Sequence, residues 1–414
     1  MSRTRMFWAG AVTASLALGL IGSASAADES PSRAMQELRR IFFADSRINM
    51  LTFHNMDDLF HTAPVRARGH AKPMARAEVP LNFSYSFKGE TVPAEDFLER
   101  TFTNALLIIK DDHIVYERYR NLTGPQTMFL SMSMAKSITS ILVGAAVQDG
   151  LIKSIDDQVV RYVPELKGTA YDGVTIRDTL LMRSGIARSD RYDPDPGSDM
   201  TRLREETMVQ NTRRATDEAL TVKRREQPGT RFNYSTLNTT VLGWIIEKAS
   251  GQPLQDYMSR RLWTPLGAEA DGFFITDGPP GVGRATNGMG YNAVLRDYGR
   301  IGQMMLHGGK ANGRQIIPAA WVRESTVPIG PEPADADNAQ GYQYQWWTLV
   351  DSNAYMAIGL QGQFIYVDPD TRTVIVKLSY FPLGNKTPSE ESEAFFRAVS
   401  AWSPASRRAT MSGQ

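Results

Sequence analysis

Apolar and polar positions along this chain follow two different rhythms. Ala105 to Lys110 is a short apolar run, Asp111-Asp112 supplies turn residues, and His113 to Tyr119 alternates well enough to return as a second strand, which predicts a hairpin. Near the other end, Tyr355 to Gly359, Gln363 to Asp368 and Thr373 to Tyr380 are three more strand candidates, the last two joined by Pro369-Asp370-Thr371-Arg372. Between the two groups the spacing is mostly helical, over Ser133 to Gln148, Thr239 to Ala249 and Ala293 to Leu306, with loops rich in Gly, Pro and Asp. The simplest assembly pairs both strand groups in one antiparallel sheet, about residues 100–120 and 350–380, with a helical insertion over about 150–285.

The two ends of the chain read differently. Arg3 and Arg5 precede an apolar run from Met6 to Gly22, and Ala24-Ser25-Ala26 offers the small residues of a cleavage site, so residues 1–26 are expected to be a secretory signal peptide and the protein to be exported, periplasmic or secreted. The run is short of the roughly 20 apolar residues a membrane span needs. From there to Ser86, Pro31, Pro64, Pro73 and Pro80 interrupt any long element, and residues 27–86 are expected to form an irregular arm on the surface of a main domain over 87–402. Residues 403–414 are expected to be a disordered tail.

Composition narrows the function classes. With 46 Lys+Arg against 45 Asp+Glu in 414 residues, the chain lacks the basic face that nucleic acid requires. There are no cysteines, which excludes disulfides, thiolate metal sites and a cysteine nucleophile. No His-Glu-x-x-His motif and no Gly-x-Ser-x-Gly elbow is present. Neither a metal nor a cofactor is expected, and the expected partner is a small-molecule substrate, with no membrane contact after signal cleavage.

The segment Phe129 to Gly150 carries the chemistry. Its apolar positions predict a helix buried on most sides, and at its start Ser133 and Lys136 are three residues apart, so both project from one face about 5 to 6 Å apart. A lysine one turn from a serine can act as its base if the ammonium loses its proton. At a reference pKa near 10.4, only roughly one lysine in 2,500 is neutral at pH 7, so burial or neighbouring cations must lower that value. In Pro228 to Gly243, Tyr234 ends a turn ahead of a helix and is placed to join the pair.

Together these segments resemble the serine β-lactamase and penicillin-binding protein superfamily, in its class C β-lactamase, esterase and 6-aminohexanoate-dimer hydrolase branch. Ser133-Met-Ala-Lys136 corresponds to the nucleophile motif, and Thr175 to Ile186 looks like the family's helix and Ser-Gly turn. Pro228 to Gly243 resembles the tyrosine motif, and Gly251 to Leu254, Leu262 to Gly267 and Arg296 to Gln303 follow in order. The resemblance implies an α/β (α+β) fold, an antiparallel sheet flanked by helices with an all-helical lobe and the site between them. It implies that Ser133 attacks a carbonyl, that Lys136 and Tyr234 share the proton work, and that the Ser133 N–H forms half of an oxyanion hole.

Two departures shape the rest. Where β-lactamases carry Tyr-x-Asn, this chain has Tyr234-Ser235-Thr236, with Asn238 two positions late as the candidate substrate contact. Where they carry Lys-Thr-Gly, the best match is Leu360-Gln361-Gly362, without the cation that meets a β-lactam carboxylate. Gln361 and Gly362 are taken as substrate-binding and the Gln363 N–H as the second oxyanion donor. Phe129 to Ser137, Gly341 to Trp347 and Gly362 to Pro369 look closest to the 6-aminohexanoate-dimer hydrolases, with Trp346 a candidate pocket wall. Asp190, Asp193, Asp195 and Asp199 form an acidic loop that would favour amine substrates if it borders the cleft. The leading expectation is an exported serine hydrolase cleaving an ester or unstrained amide, aminohexanoate-type amides or small esters. A β-lactamase or D-alanyl-D-alanine carboxypeptidase, and a non-catalytic binder of cell-wall fragments, stay open.

Overall fold

Asp111 and Asp112 both adopt left-handed backbone, φ 47° and 66°, which short polar side chains tolerate better than most. They close a two-residue turn between strands Thr103–Lys110 and His113–Tyr119. In the computed structural model, which describes residues 30–69, 71–190, 198–329 and 340–404, this hairpin meets the strands from the other end of the chain. Thr373–Ser379 pairs antiparallel with Thr103–Lys110, Val374 opposite Ile109 and Val376 opposite Leu107. Gln363–Asp368 and Tyr355–Gly359 follow outward. Both strand groups thus build one sheet. A hairpin of Gln340–Gln343 and Trp346–Leu349 extends it at one edge, and Ala75–Arg76 lies parallel to His113–Tyr119 at the other, giving eight strands.

The sheet is buried on both faces, which explains why its central strands read as apolar runs. Leu107, Ile109, Val374 and Val376 face the larger core, beneath helices Met134–Gln148 and Leu295–Leu306 and the helical lobe. Their neighbours Leu106, Ile108 and Ile375 face the opposite way, onto Phe395 and Phe396 of the C-terminal helix Thr387–Ala401.

The arm departs from expectation. Residues Arg33–Ala44 form a helix that starts at Ser32, whose hydroxyl accepts the Met35 N–H at 3.2 Å, so Pro31 precedes an element rather than interrupting one. Thr62–Val65 enters a second, four-stranded sheet beside Gly272–Ile275, followed by Tyr291–Val294 and Met128–Leu130. Phe42, Phe53, Met56 and Phe60 are buried against Leu130 and Met132, so the arm belongs to the core next to the predicted nucleophile. Its strand has four residues and a partner some two hundred positions away, too little for any local periodicity to register. The same sheet corrects the start of the helix expected at Ala293, which begins at Leu295 after a strand. The expected signal peptide and most of the expected tail lie outside the described residues. Among the described residues, no helix is long and apolar enough to cross a membrane.

Candidate active site

Strand Met128–Leu130 hands the chain to helix Met134–Gln148 through a tight, buried step. Met132 takes a left-handed conformation, φ 44°, and the Ser131 N–H donates to Tyr291 O at 2.7 Å. The Tyr298 hydroxyl, from the Arg296 to Gln303 motif, donates to Phe129 O at 2.9 Å and to Tyr291 O at 3.2 Å. Strained backbone held by buried hydrogen bonds presents Ser133 at the head of the helix.

Lys136 follows one turn later with 1% of its surface exposed. Its Nζ lies 2.9 Å from Ser133 Oγ, 2.8 Å from Thr236 Oγ1 and 2.9 Å from Gly288 O. Burial pushes this amine down to about 8, with the Asp190 carboxylate opposing the shift and Arg188 adding to it. At pH 7 roughly a tenth of the molecules then hold a neutral lysine, a gain of more than two orders of magnitude over an exposed one. Tyr234 presents its ring face 4.9 Å from Nζ and packs on Tyr342 and Trp347, with centroids 5.9 and 5.6 Å away. Ser133, Lys136 and Tyr234 are therefore brought together.

The cradle depends on close backbone approach. A Cβ at Gly288 would lie 2.5 Å from Thr236 Cγ2, so a side chain there would push Thr236 off the lysine. The Gly288 loop is pinned by Asn287, which donates to Thr239 O at 2.6 Å and whose carbonyl accepts from Thr139 Oγ1 at 2.9 Å, bridging the two site helices.

The remaining expected residues fall elsewhere. Asn238 is fully buried, its side chain taken by the Tyr171 hydroxyl at 3.0 Å and by Met182 Sδ, so it is not turned to Ser133. Thr236, the third residue of the tyrosine motif in register, meets the lysine instead. Trp346 is buried edge-on against Tyr355, and Trp347 is the tryptophan beside Tyr234. Gln361 and Gly362 sit in the turn after strand Tyr355–Gly359. The Gln361 side chain is occupied, donating to Phe381 O at 3.0 Å and accepting from Asn49 Nδ2 at 2.8 Å. Asp190 of the acidic loop reaches the site, 3.9 Å from Lys136 Nζ. Asp193 and Asp195 lie outside the described residues.

Gln363 opens an interior strand, with its side chain tied to Ser379, and does not face the cleft. The strand that does is Tyr355–Gly359. A Cβ on Gly359 would fall 2.4 Å from Ser131 O, so the end of this strand rests on the segment leading into Ser133. Gly362 N–H donates to Gly359 O, which turns the Gly359 carbonyl toward the neighbouring strand and, by alternation, Ile358 N–H toward the outer edge. Pairing with Trp346–Leu349 on that edge covers only Tyr355 and Met356. Ile358 N–H is thus left outside the ladder beside the nucleophile segment.

Comparison with known proteins places this geometry. Residues 95–394 match the beta-lactamase family. The chain belongs to the beta-lactamase family. A 6-aminohexanoate-dimer hydrolase of Paenarthrobacter ureafaciens is 33% identical over 347 residues, 81% of this chain and 86% of that one. Esterase EstB of Burkholderia gladioli is 30% identical over 42% of this chain and 48% of its own. Among solved structures, a Bacillus anthracis protein assigned provisionally as a 6-aminohexanoate-dimer hydrolase superposes with a TM-score of 0.77 at 22% identity, covering 86% of this chain and 95% of that one. As a member of this family the chain is a serine hydrolase. Within the family frame its substitutions stand out, Thr236 in the tyrosine motif and, over Tyr355–Gly359, no cation.

Proposed function

We propose that this protein is an exported serine hydrolase that cleaves esters or unstrained linear amides, aminohexanoate-type amides among them, through a Ser133 acyl-enzyme. The observation that carries the reading is the neutralisable lysine, 2.9 Å from a serine hydroxyl and sealed from water. Ser133 Oγ attacks the carbonyl carbon as its proton passes to Lys136. The oxyanion is received by the backbone N–H groups of Ser133 and Ile358. Tyr234 and Lys136 return the proton to the leaving amine or alcohol, and water then repeats the sequence on the ester to free the acid.

Two features favour linear substrates over β-lactams. The cleft strand lacks the cation that would meet a β-lactam carboxylate. A cavity of about 130 Å³, lined by none of Ser133, Lys136 and Tyr234, adjoins the lysine cradle through Thr236 and Gly288 and is walled by Leu237, Trp244 and Met289. Glu218, also on this wall, accepts from Arg188 Nε with one oxygen, and its other oxygen is buried without a hydrogen-bond partner among the described residues, which supports an aliphatic chain ending in an amine. The test compares wild type and Ser133→Ala on a short-chain chromogenic ester, a cephalosporin and an aminohexanoate dimer, with intact-mass detection of the acyl adduct. Turnover of the ester or dimer, an adduct on Ser133 and little cephalosporin hydrolysis are expected. Preference for the cephalosporin would overturn the substrate assignment, and no turnover of any of the three would overturn the hydrolase reading.

A further inference from the structure

The surroundings of Lys136 Nζ hold more information than its distance to Ser133. A lysine nitrogen has three directions besides its carbon, and here they are filled by Ser133 Oγ, Thr236 Oγ1 and Gly288 O. In the neutral amine two of these carry hydrogens and one carries the lone pair. Which direction receives the lone pair decides whether the lysine can accept the serine proton. Gly288 O is a carbonyl and can only accept, so one N–H is committed to it. Thr236 Oγ1 has one hydrogen of its own and could in principle face the lysine either way.

Asp190 removes that ambiguity. Its Oδ2 accepts from the Thr236 N–H at 2.6 Å and from the Thr236 hydroxyl, and a carboxylate oxygen offers only lone pairs. With its hydrogen taken by Asp190, the hydroxyl must accept from Lys136. Asp190 is itself fixed: its N–H donates to Tyr234 O at 2.9 Å, and Oδ1 faces Arg188 Nη1 at 3.5 Å. Arg188 is 5% exposed and donates from Nε to Glu218 at 2.9 Å. The chain of donors runs one way from the lysine through Thr236 to the aspartate.

We propose that Asp190 is a positioning residue: by taking the Thr236 hydroxyl hydrogen it commits the second N–H of Lys136 to Thr236, and so turns the lone pair of the neutral amine onto the Ser133 hydroxyl. The inference rests on Ser133 being the nucleophile. In the step it serves, the Ser133 O–H bond breaks and an N–H bond forms on Lys136, while the Thr236 hydroxyl hydrogen stays on Thr236, donated to the Asp190 carboxylate. Asp190 also acts electrostatically, since a negative charge 3.9 Å from Nζ favours the ammonium. The two effects oppose each other, and this makes them separable. The other charged and titratable groups around Lys136 are Arg188 on the same loop, Tyr234 against its ring face, Glu218 behind Arg188, and the buried Tyr342 hydroxyl.

The experiment follows labelling of Ser133 in the full chain by a fluorophosphonate, read by intact mass from pH 6 to 10. In that reaction the Oγ–P bond forms, fluoride leaves and the serine proton goes to Lys136, with no natural substrate required. For Asp190→Asn, whose amide can donate to Thr236 and release the hydroxyl, the expected result is a plateau rate lowered about tenfold or more and an acid limb moved to lower pH. Thr236→Val should lose as much plateau rate, and Thr236→Ser should restore most of it. Asp190→Asn with plateau and limb both as in wild type would overturn the proposal. So would a lowered plateau with an unmoved limb, the mark of a merely structural role, or Thr236→Val labelling at the wild-type rate. A folded wild type that takes no label would instead sink the nucleophile assignment and this inference with it.

Discussion

Among the described residues two lysines are no more than 1% exposed, and only one is placed to do chemistry. Lys136 is 1% exposed and Lys377 is 0% exposed. Burial pushes both below the ordinary lysine range. Their surroundings differ in kind. Lys136 sits among three oxygens, one of them a hydroxyl with a proton to give. Lys377 donates to a single carbonyl, Thr101 O at 3.2 Å, and otherwise lies over the rings of Phe97, Phe364 and Phe381 at 5.9, 5.8 and 5.6 Å. It is on the face of the sheet covered by the C-terminal helix, away from Ser133. A depressed pKa therefore marks burial; a base is marked by burial together with a proton donor at bonding distance.

The sharpest way to break this contrast is to remove each amine. Lys136→Ala should lower acylation of Ser133 about a thousandfold or more, with Ser133→Ala abolishing it, whereas Lys377→Met should leave the rate within about twofold. Stopped-flow measurement with an activated ester checks all three. A Lys377 variant as inactive as the Lys136 variant would mean the two sites are not separate. Tyr234→Phe keeps the ring on Trp347 and Tyr342 and removes only the hydroxyl, so about a hundredfold loss in kcat with KM little changed is expected. Full activity would remove Tyr234 from the proton path.

How far the sequence led can be judged on these same residues. Ser133 and Lys136 were legible because one helix carries both at a spacing of three, and the sheet was legible because short apolar runs bounded by turn residues recur at both ends of the chain. Thr236 was passed over in favour of Asn238. On a helix, two positions are about 200° apart, so the residue two steps beyond the motif had to face away, and it does, onto Tyr171. Trp346 and Trp347 repeat the error on a strand, where neighbours point to opposite faces. Asp190 and Gly288 reach the lysine from loops with no local periodicity, and a backbone group such as the proposed donor Ile358 N–H leaves no mark on the side-chain sequence at all.

The acid limb of the reaction is the next and smaller effect. Because Lys136 must be neutral to accept a proton, acylation at constant temperature should rise about tenfold per pH unit below about 8 and level off above it. A limb near 10 would show that the cradle does not shift the lysine; a flat profile would show that another group is the base.

The smallest effect tests the other half of the comparison, through stability. A lysine whose folded-state value is depressed binds fewer protons folded than unfolded between that value and about 10.4, so its contribution to stability rises with pH across the window and is weakest below it. Lys377→Met keeps an unbranched apolar stem over the three rings and removes the buried amine. Thr101 O retains the Ser379 hydroxyl at 2.9 Å, so no acceptor is orphaned. The variant should match or exceed wild type by on the order of 1 kcal/mol at neutral pH. Its advantage should shrink as the pH approaches 10, where wild type no longer has to strip a proton from Lys377 to fold. Buried tyrosines raised by desolvation, Tyr355 and Tyr291 among them, titrate identically in both chains and cancel in the difference. Denaturant midpoints of the two proteins from pH 6.5 to 9.5 give that difference directly. A gap of constant size would mean that Lys377 folds with its charge intact, held by the rings and Thr101 O.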